Sequence, residues 1–109
     1  MKLITKEVER KLARNATISP AGREPVVKFF DPSGAATWLI SEIDDDGDTM
    51  FGLADLGMGY PELGYVSLAE LKSVKGSFGL GIERDLYFSP DKTLDAYADA
   101  ARVAGRINA

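Results

Sequence analysis

Thr37-Trp38-Leu39-Ile40-Ser41-Glu42-Ile43, then Asp44-Asp45-Asp46-Gly47-Asp48, then Thr49-Met50-Phe51-Gly52-Leu53-Ala54-Asp55-Leu56: two runs of β-favouring residues flank a block of turn residues, the pattern of a β-hairpin. Strand geometry sends Trp38, Ile40 and Glu42 to one face and Leu39, Ser41 and Ile43 to the other. Likewise Phe51 and Leu53 oppose Met50, Ala54 and Leu56. Both faces are partly apolar, so this sheet needs cover on both sides, from helices or from a partner. A two-residue type I′ turn at Asp46-Gly47 sets Asp45 directly opposite Asp48, an unfavourable pairing of like charges; a longer loop avoids it.

Upstream, Val26 to Phe30 reads as a short strand stopped by the turn signal Asp31-Pro32-Ser33-Gly34. Before it, Thr5 is suited to cap a helix reaching to about Asn15, with Glu7 in the first turn and Lys11 and Arg14 near the end, as the helix dipole favours. The apolar stripe of that helix, Val8, Leu12 and Ala16, is thin, which predicts packing at an edge with Lys6, Arg10 and Arg14 solvated. Thr17 to Pro25 reads as a loop.

Downstream, Leu56 to Leu63 is a glycine-rich loop and Gly64-Tyr65-Val66 a brief strand. Ser67-Leu68-Ala69-Glu70 forms a capping box that starts a two-turn helix, stopped by Gly76. Ile82 to Phe88 is the expected last strand. Ser89-Pro90 resembles an N-cap followed by proline at the first helical position, and Leu94, Tyr97, Ala98, Ala101 and Ala104 make one apolar face ended by Gly105.

These elements predict an α+β fold: a single domain over residues 1–109, with a three- to five-stranded, largely antiparallel sheet and N-terminal, short middle and C-terminal helices. A chain of 109 residues with 45% apolar content suffices for one core. No stretch approaches a membrane span and the N-terminus lacks a signal-peptide core, so a cytoplasmic location is expected. There is no cysteine, hence no disulfide or thiolate zinc site, and no histidine, the usual proton shuttle.

Charge is segregated. Between Phe29 and Leu71 lie nine acids and no base, whereas residues 1–28 hold seven bases and three acids. The net charge of −4 disfavours direct nucleic-acid binding, which needs clustered lysine and arginine, and makes a protein with a basic surface the easier partner to accommodate. The candidate contact residues are Glu42, Asp44, Asp45, Asp46, Asp48, Asp55 and Glu62. Tyr60 joins them, set between Gly59 and Pro61 in a loop.

Other chemistries fit less well. Asp44, Asp46, Asp48 and Asp55 share the spacing of a calcium loop, but Thr49 stands where that loop needs glycine and Asp55 where it needs glutamate, so no metal is expected. Gly57-Met58-Gly59 and Gly79-Leu80-Gly81 each lack the third glycine and the strand-to-helix setting of a dinucleotide fingerprint, and no cofactor is expected. Glu83, Arg84 and Asp85 form an alternative carboxylate site. With Glu42 and Glu62 they suffice for a small acid/base or metal-assisted hydrolase only if they converge on one pocket. Among the aromatics Trp38, Tyr60, Tyr65, Phe78 and Tyr87, Trp38 is expected in the core.

Taken together, Met1-Lys2-Leu3-Ile4-Thr5-Lys6, Lys28-Phe29-Phe30, Thr37-Trp38 with Glu42, Phe51-Gly52-Leu53, Glu62-Leu63-Gly64-Tyr65 with Ser67-Leu68 and Glu70-Leu71, and Gly81-Ile82-Glu83-Arg84-Asp85 with Phe88 resemble a family of small uncharacterised bacterial proteins, a domain of unknown function common on plasmids and other mobile elements. The resemblance runs from Met1 to about Leu94. It implies a mobile-element setting and carries over no catalytic residue. The expectation is a non-enzymatic binding protein, in its narrowest form an anti-defence inhibitor that fills the nucleic-acid groove of a host enzyme. The competing classes are the hydrolase and a structural homodimer whose apolar strands pair between chains.

Overall fold

The computed structural model describes residues 2–75 and 79–109; Gly76 and Phe78, expected as a helix stop and a candidate contact, lie outside them. Five strands, β1 (Val27–Phe30), β2 (Thr37–Ile43), β3 (Thr49–Asp55), β4 (Glu62–Ser67) and β5 (Glu83–Arg84), form one antiparallel sheet in the order β4-β3-β2-β1-β5. Among the described residues three α-helices accompany it: α1 (Lys6–Asn15), α2 (Leu68–Ser73) and α3 (Leu94–Ala104). The α+β reading holds, and the sheet is antiparallel throughout.

The doubly apolar strands are covered on both sides. One face packs Val27, Phe29, Trp38, Ile40, Ile43 and Met50 with Leu3 and Leu12 from the N-terminal segment and Leu68 and Leu71 from α2. The other sets Leu39 and Leu53 against Leu94, Tyr97, Ala98 and Ala101 of α3. Helix α1 lies mainly against β2, the central strand, and not at an edge as its thin stripe predicts. Leu3 and Ile4, just before the helix, widen that stripe.

Ile43 is on the opposite face from the one strict alternation assigns it. Ile40 pairs with Gly52 and Glu42 with Phe51, so Ser41 is the extra residue of a β-bulge. That one residue reverses the alternation and returns Ile43 to the side of Trp38 and Ile40. Ser41 is fully buried. Its carbonyl accepts the Asn15 side-chain amide at 2.8 Å, and its hydroxyl donates to the Phe51 carbonyl at 3.4 Å. The last residue of α1 thereby locks the bulge.

The termini of elements also differ from expectation in explicable ways. Thr5 caps α1 as predicted, accepting the Val8 N–H. The C-terminal helix starts later than Ser89-Pro90: its N-cap is Thr93, whose hydroxyl accepts the Ala96 N–H. Gly105 ends it at φ 76°, in the left-handed region that glycine adopts without a steric penalty. Ala104 is exposed and leaves the apolar face. β4 is longer than the three residues expected. β5 is shorter than Ile82 to Phe88, because the Asp85 carboxylate accepts the Tyr87 N–H and bends the chain into a turn.

Candidate functional site

The hairpin turn adopts the longer of the two expected forms. The Asp44 N–H donates to the Thr49 carbonyl, closing a loop over 45–48, and Gly47 sits at φ 71°. Asp45 and Asp48 therefore do not face each other as a cross-strand pair. The Asp46 carboxylate accepts from the Asp48 and Thr49 amides at 2.8 Å each and from the Thr49 hydroxyl at 2.6 Å. These bonds, the Thr49 hydroxyl foremost, hold its pKa below the ordinary carboxylate value.

Most of the other acids have internal work. The Asp48 carboxylate accepts from the Ser67 hydroxyl at 2.8 Å and from the Ala69 N–H at 2.8 Å, at the start of α2. Ser67 in turn accepts the Glu70 N–H at 3.2 Å, half of the predicted capping box; the acid that completes the cap is Asp48, nineteen residues away. Glu42 pairs with Arg23 at 2.5 Å, with side chains only 16% and 12% exposed. Arg23 also donates to the Ile18 and Ala16 carbonyls. Asp55 is buried, with one oxygen on the Gly57 N–H (2.8 Å) and the other on the Ile107 N–H (2.9 Å).

Asp44 and Asp45 remain exposed at one end of β3 and Glu62 at the other, so the acids do not form one continuous surface. The segregated bases of residues 1–28 are used in part against acids: Arg23 with Glu42, and Lys28 with Asp85 at 3.5 Å.

The carboxylates named for acid/base work do not converge. Glu83 lines a cleft of about 860 Å³ together with Glu9 and three lysines, Lys2, Lys6 and Lys72. Asp85 lines a separate depression beside Tyr87 and Asp91, and Glu62 lines a third beside Trp38. Glu42 is held by Arg23. Arg84 donates to the Leu3 carbonyl at 3.3 Å and pairs with Phe29 in the sheet. Among the described residues no three carboxylates are grouped as a metal ion requires.

Exposed apolar side chains gather at the turn between two strands. The loop between β3 and β4 holds Leu56, Met58 and Tyr60 out in solvent, Met58 69% and Tyr60 81% exposed. Asp55 anchors its start, buried Pro61 its end, and Gly57 and Gly59 turn it at φ 83°. Nearby on β4, Tyr65 is 73% exposed and meets Phe51 edge-on, ring centroids 5.1 Å apart. Tyr60 was identifiable from its loop setting. Leu56 and Met58 were not, since an apolar side chain beside glycine reads equally well as core. Trp38 is buried as expected, and Tyr87 lies exposed in the turn after β5.

No helix among the described residues is long and apolar enough to cross a membrane. No curated protein and no solved structure matches the chain. The model of the family described as "Protein of unknown function (DUF2958)" matches residues 3–108, nearly the whole length. The chain belongs to the DUF2958 family.

Proposed function

We propose that this domain is a non-enzymatic protein-binding module, working in the mobile-element setting that its sequence resemblance implies, and that it contacts its partner through the β3–β4 tip. The observation that carries this reading is the display of Leu56, Met58 and Tyr60 on a loop fixed at both ends. Large apolar and aromatic side chains displayed on an anchored backbone are what binding hot spots use, because less backbone entropy is lost when a partner covers them. Glu62, exposed at the base of the tip, adds a charge at its rim. The narrower form, an anti-defence inhibitor seated in a basic groove, is supported by the exposed carboxylates of Asp44, Asp45 and Asp46, since Asp48, Asp55 and Glu42 are sheltered and bonded within the fold.

A pull-down from the native host, followed by titration of the captured protein, tests both forms. Changing Leu56, Met58 and Tyr60 together to serine is expected to abolish binding without unfolding the domain. Changing Asp44 and Asp45 to asparagine is expected to slow association and flatten its salt dependence. Full binding by the serine variant would overturn the tip reading; salt-independent association would overturn the groove form.

A further inference from the structure

The two edges of the sheet are built in opposite ways. β5 is two residues long and both are charged, the usual protection of an edge against unwanted pairing. β4 runs six residues in unbroken register with β3, with no charged side chain from Leu63 to Ser67, no proline and no bulge. Among the described residues nothing pairs with its outer side.

We propose that β4 pairs antiparallel with β4 of a second copy of this chain, about a two-fold axis through Tyr65, so that one sheet runs through both molecules. The surface adjoins the β3–β4 tip at Glu62 but does not include Leu56, Met58 or Tyr60.

The hydrogen-bond phase of the sheet fixes which groups face outward. The Leu68 N–H donates to the Asp48 carbonyl at 2.9 Å, one step beyond the Thr49–Ser67 pair. Antiparallel ladders alternate bonded and non-bonded pairs, so the bonded pairs inside β4 are Val66 with Met50, Gly64 with Gly52 and Glu62 with Ala54. The Asp44-to-Thr49 bond on the far side of β3 agrees with this phase. Leu63, Tyr65 and Ser67 consequently direct their backbone groups to the free edge.

A two-fold axis perpendicular to the sheet keeps each face on its own side, and bonded pairs can form only among those three residues. Centring on Tyr65 uses all of them: Tyr65 bonds Tyr65 of the second copy, and the Ser67 N–H of each copy reaches the Leu63 carbonyl of the other. On the opposite face Gly64 then stands in a close, non-bonded pair with Val66 of the second copy. The space for that side chain exists. A Cβ at Gly64 would meet nothing within 4 Å, and a notch of about 180 Å³ lined by Trp38, Gly52, Gly64 and Val66 opens there. The exposed Tyr65 rings meet across the axis, as cross-strand aromatics do.

Charge points to the same place. At −4, two copies repel over most approaches, and Leu63–Ser67 is a neutral strip where they need not. In this register Glu62 faces Leu68 of the second copy and no acid faces an acid.

Sedimentation and light scattering of the purified chain test the proposal. A species of twice the 11.8 kDa chain mass is expected, dissociating on dilution. Tyr65→Pro removes an outward N–H, together with the ring that packs on Phe51, and leaves the β3–β4 ladder whole, so the mass should halve while the circular dichroism is retained. Tyr65→Lys should do the same should proline disturb folding. Because the chain has no cysteine, Tyr65→Cys on the axis should cross-link to itself under mild oxidation, whereas Leu63→Cys, opposite Ser67, should not. Tyr60→Ala should leave the dimer intact, which separates this surface from the tip. The proposal is overturned by a monomer at every concentration, including one that instead takes up an extended foreign peptide, by a dimer that survives both Tyr65 variants, or by equal cross-linking at position 63.

Discussion

The carboxylate of Asp55 reaches a residue 52 positions away: one oxygen accepts the Gly57 N–H, starting the tip loop, and the other accepts the Ile107 N–H beyond α3. A buried acid used in this way is a structural bracket, and its removal leaves two amides without acceptors. Asp55→Ala is expected to destabilise the domain by about 2 kcal/mol. Asp55→Asn should cost nearly as much, since its NH₂ would point at a donor. Urea unfolding midpoints measure both, and hydrogen exchange at Gly57 and Ile107 should accelerate.

Arg23 and Glu42 form the most sheltered of the ion pairs observed among the described residues. Arg23→Ala strands a mostly buried carboxylate and frees the Ile18 and Ala16 carbonyls, for an expected loss of about 2 kcal/mol. Arg23→Lys should not rescue it, because a single ammonium cannot reproduce the fork of donors. The double change Arg23→Ala with Glu42→Ala should be milder than the two single losses added together, read as a coupling energy in a double-mutant cycle.

Asp46 carries the pH dependence of the hairpin turn. Its folded pKa lies below the ordinary carboxylate value, chiefly through the Thr49 hydroxyl. The stability it contributes is therefore present above the unfolded-state pKa and is lost as pH falls through the lowered folded value. Asp46→Asn should remove that slope: the stability gap between parent and variant is constant near neutral pH and closes on acidification. Thermal melts across the acid range provide the check.

Gly52 and Gly64 face each other across β3 and β4, yet only one is irreplaceable. A Cβ on Gly52 would come within 2.1 Å of the Leu39 carbonyl oxygen and 2.8 Å of the Ile40 Cα, backbone that the adjoining bulge holds in place. Gly52→Ala is expected to cost about 3 kcal/mol. Gly64→Ala meets open space and should stay within about 1 kcal/mol of the parent. Calorimetric melting temperatures distinguish the two.

Local signals were readable in advance wherever the physics is local. The β2–β3 hairpin, the Thr5 cap, the Gly105 stop and the buried face of α3 each depend on residues a few positions apart. The bulge at Ser41 was hidden, since the groups that bond it, from Asn15 and Phe51, belong to other elements. The roles of the acids were hidden for the same reason. Glu42 meets Arg23 nineteen residues away, Asp48 meets Ser67 at the same separation, and Asp55 meets Ile107 at 52.

The sequence by itself determined the α+β class, the antiparallel hairpin, the need for cover on both faces of the sheet and the segregation of charge, because periodicity, turn chemistry and composition act within a few residues. Only the tertiary structure decided which charges stay free and which edge stays open. Neutralising Glu42, burying Asp55 and leaving β4 unpaired depend on how distant segments come together, and spacing along the chain carries no record of that.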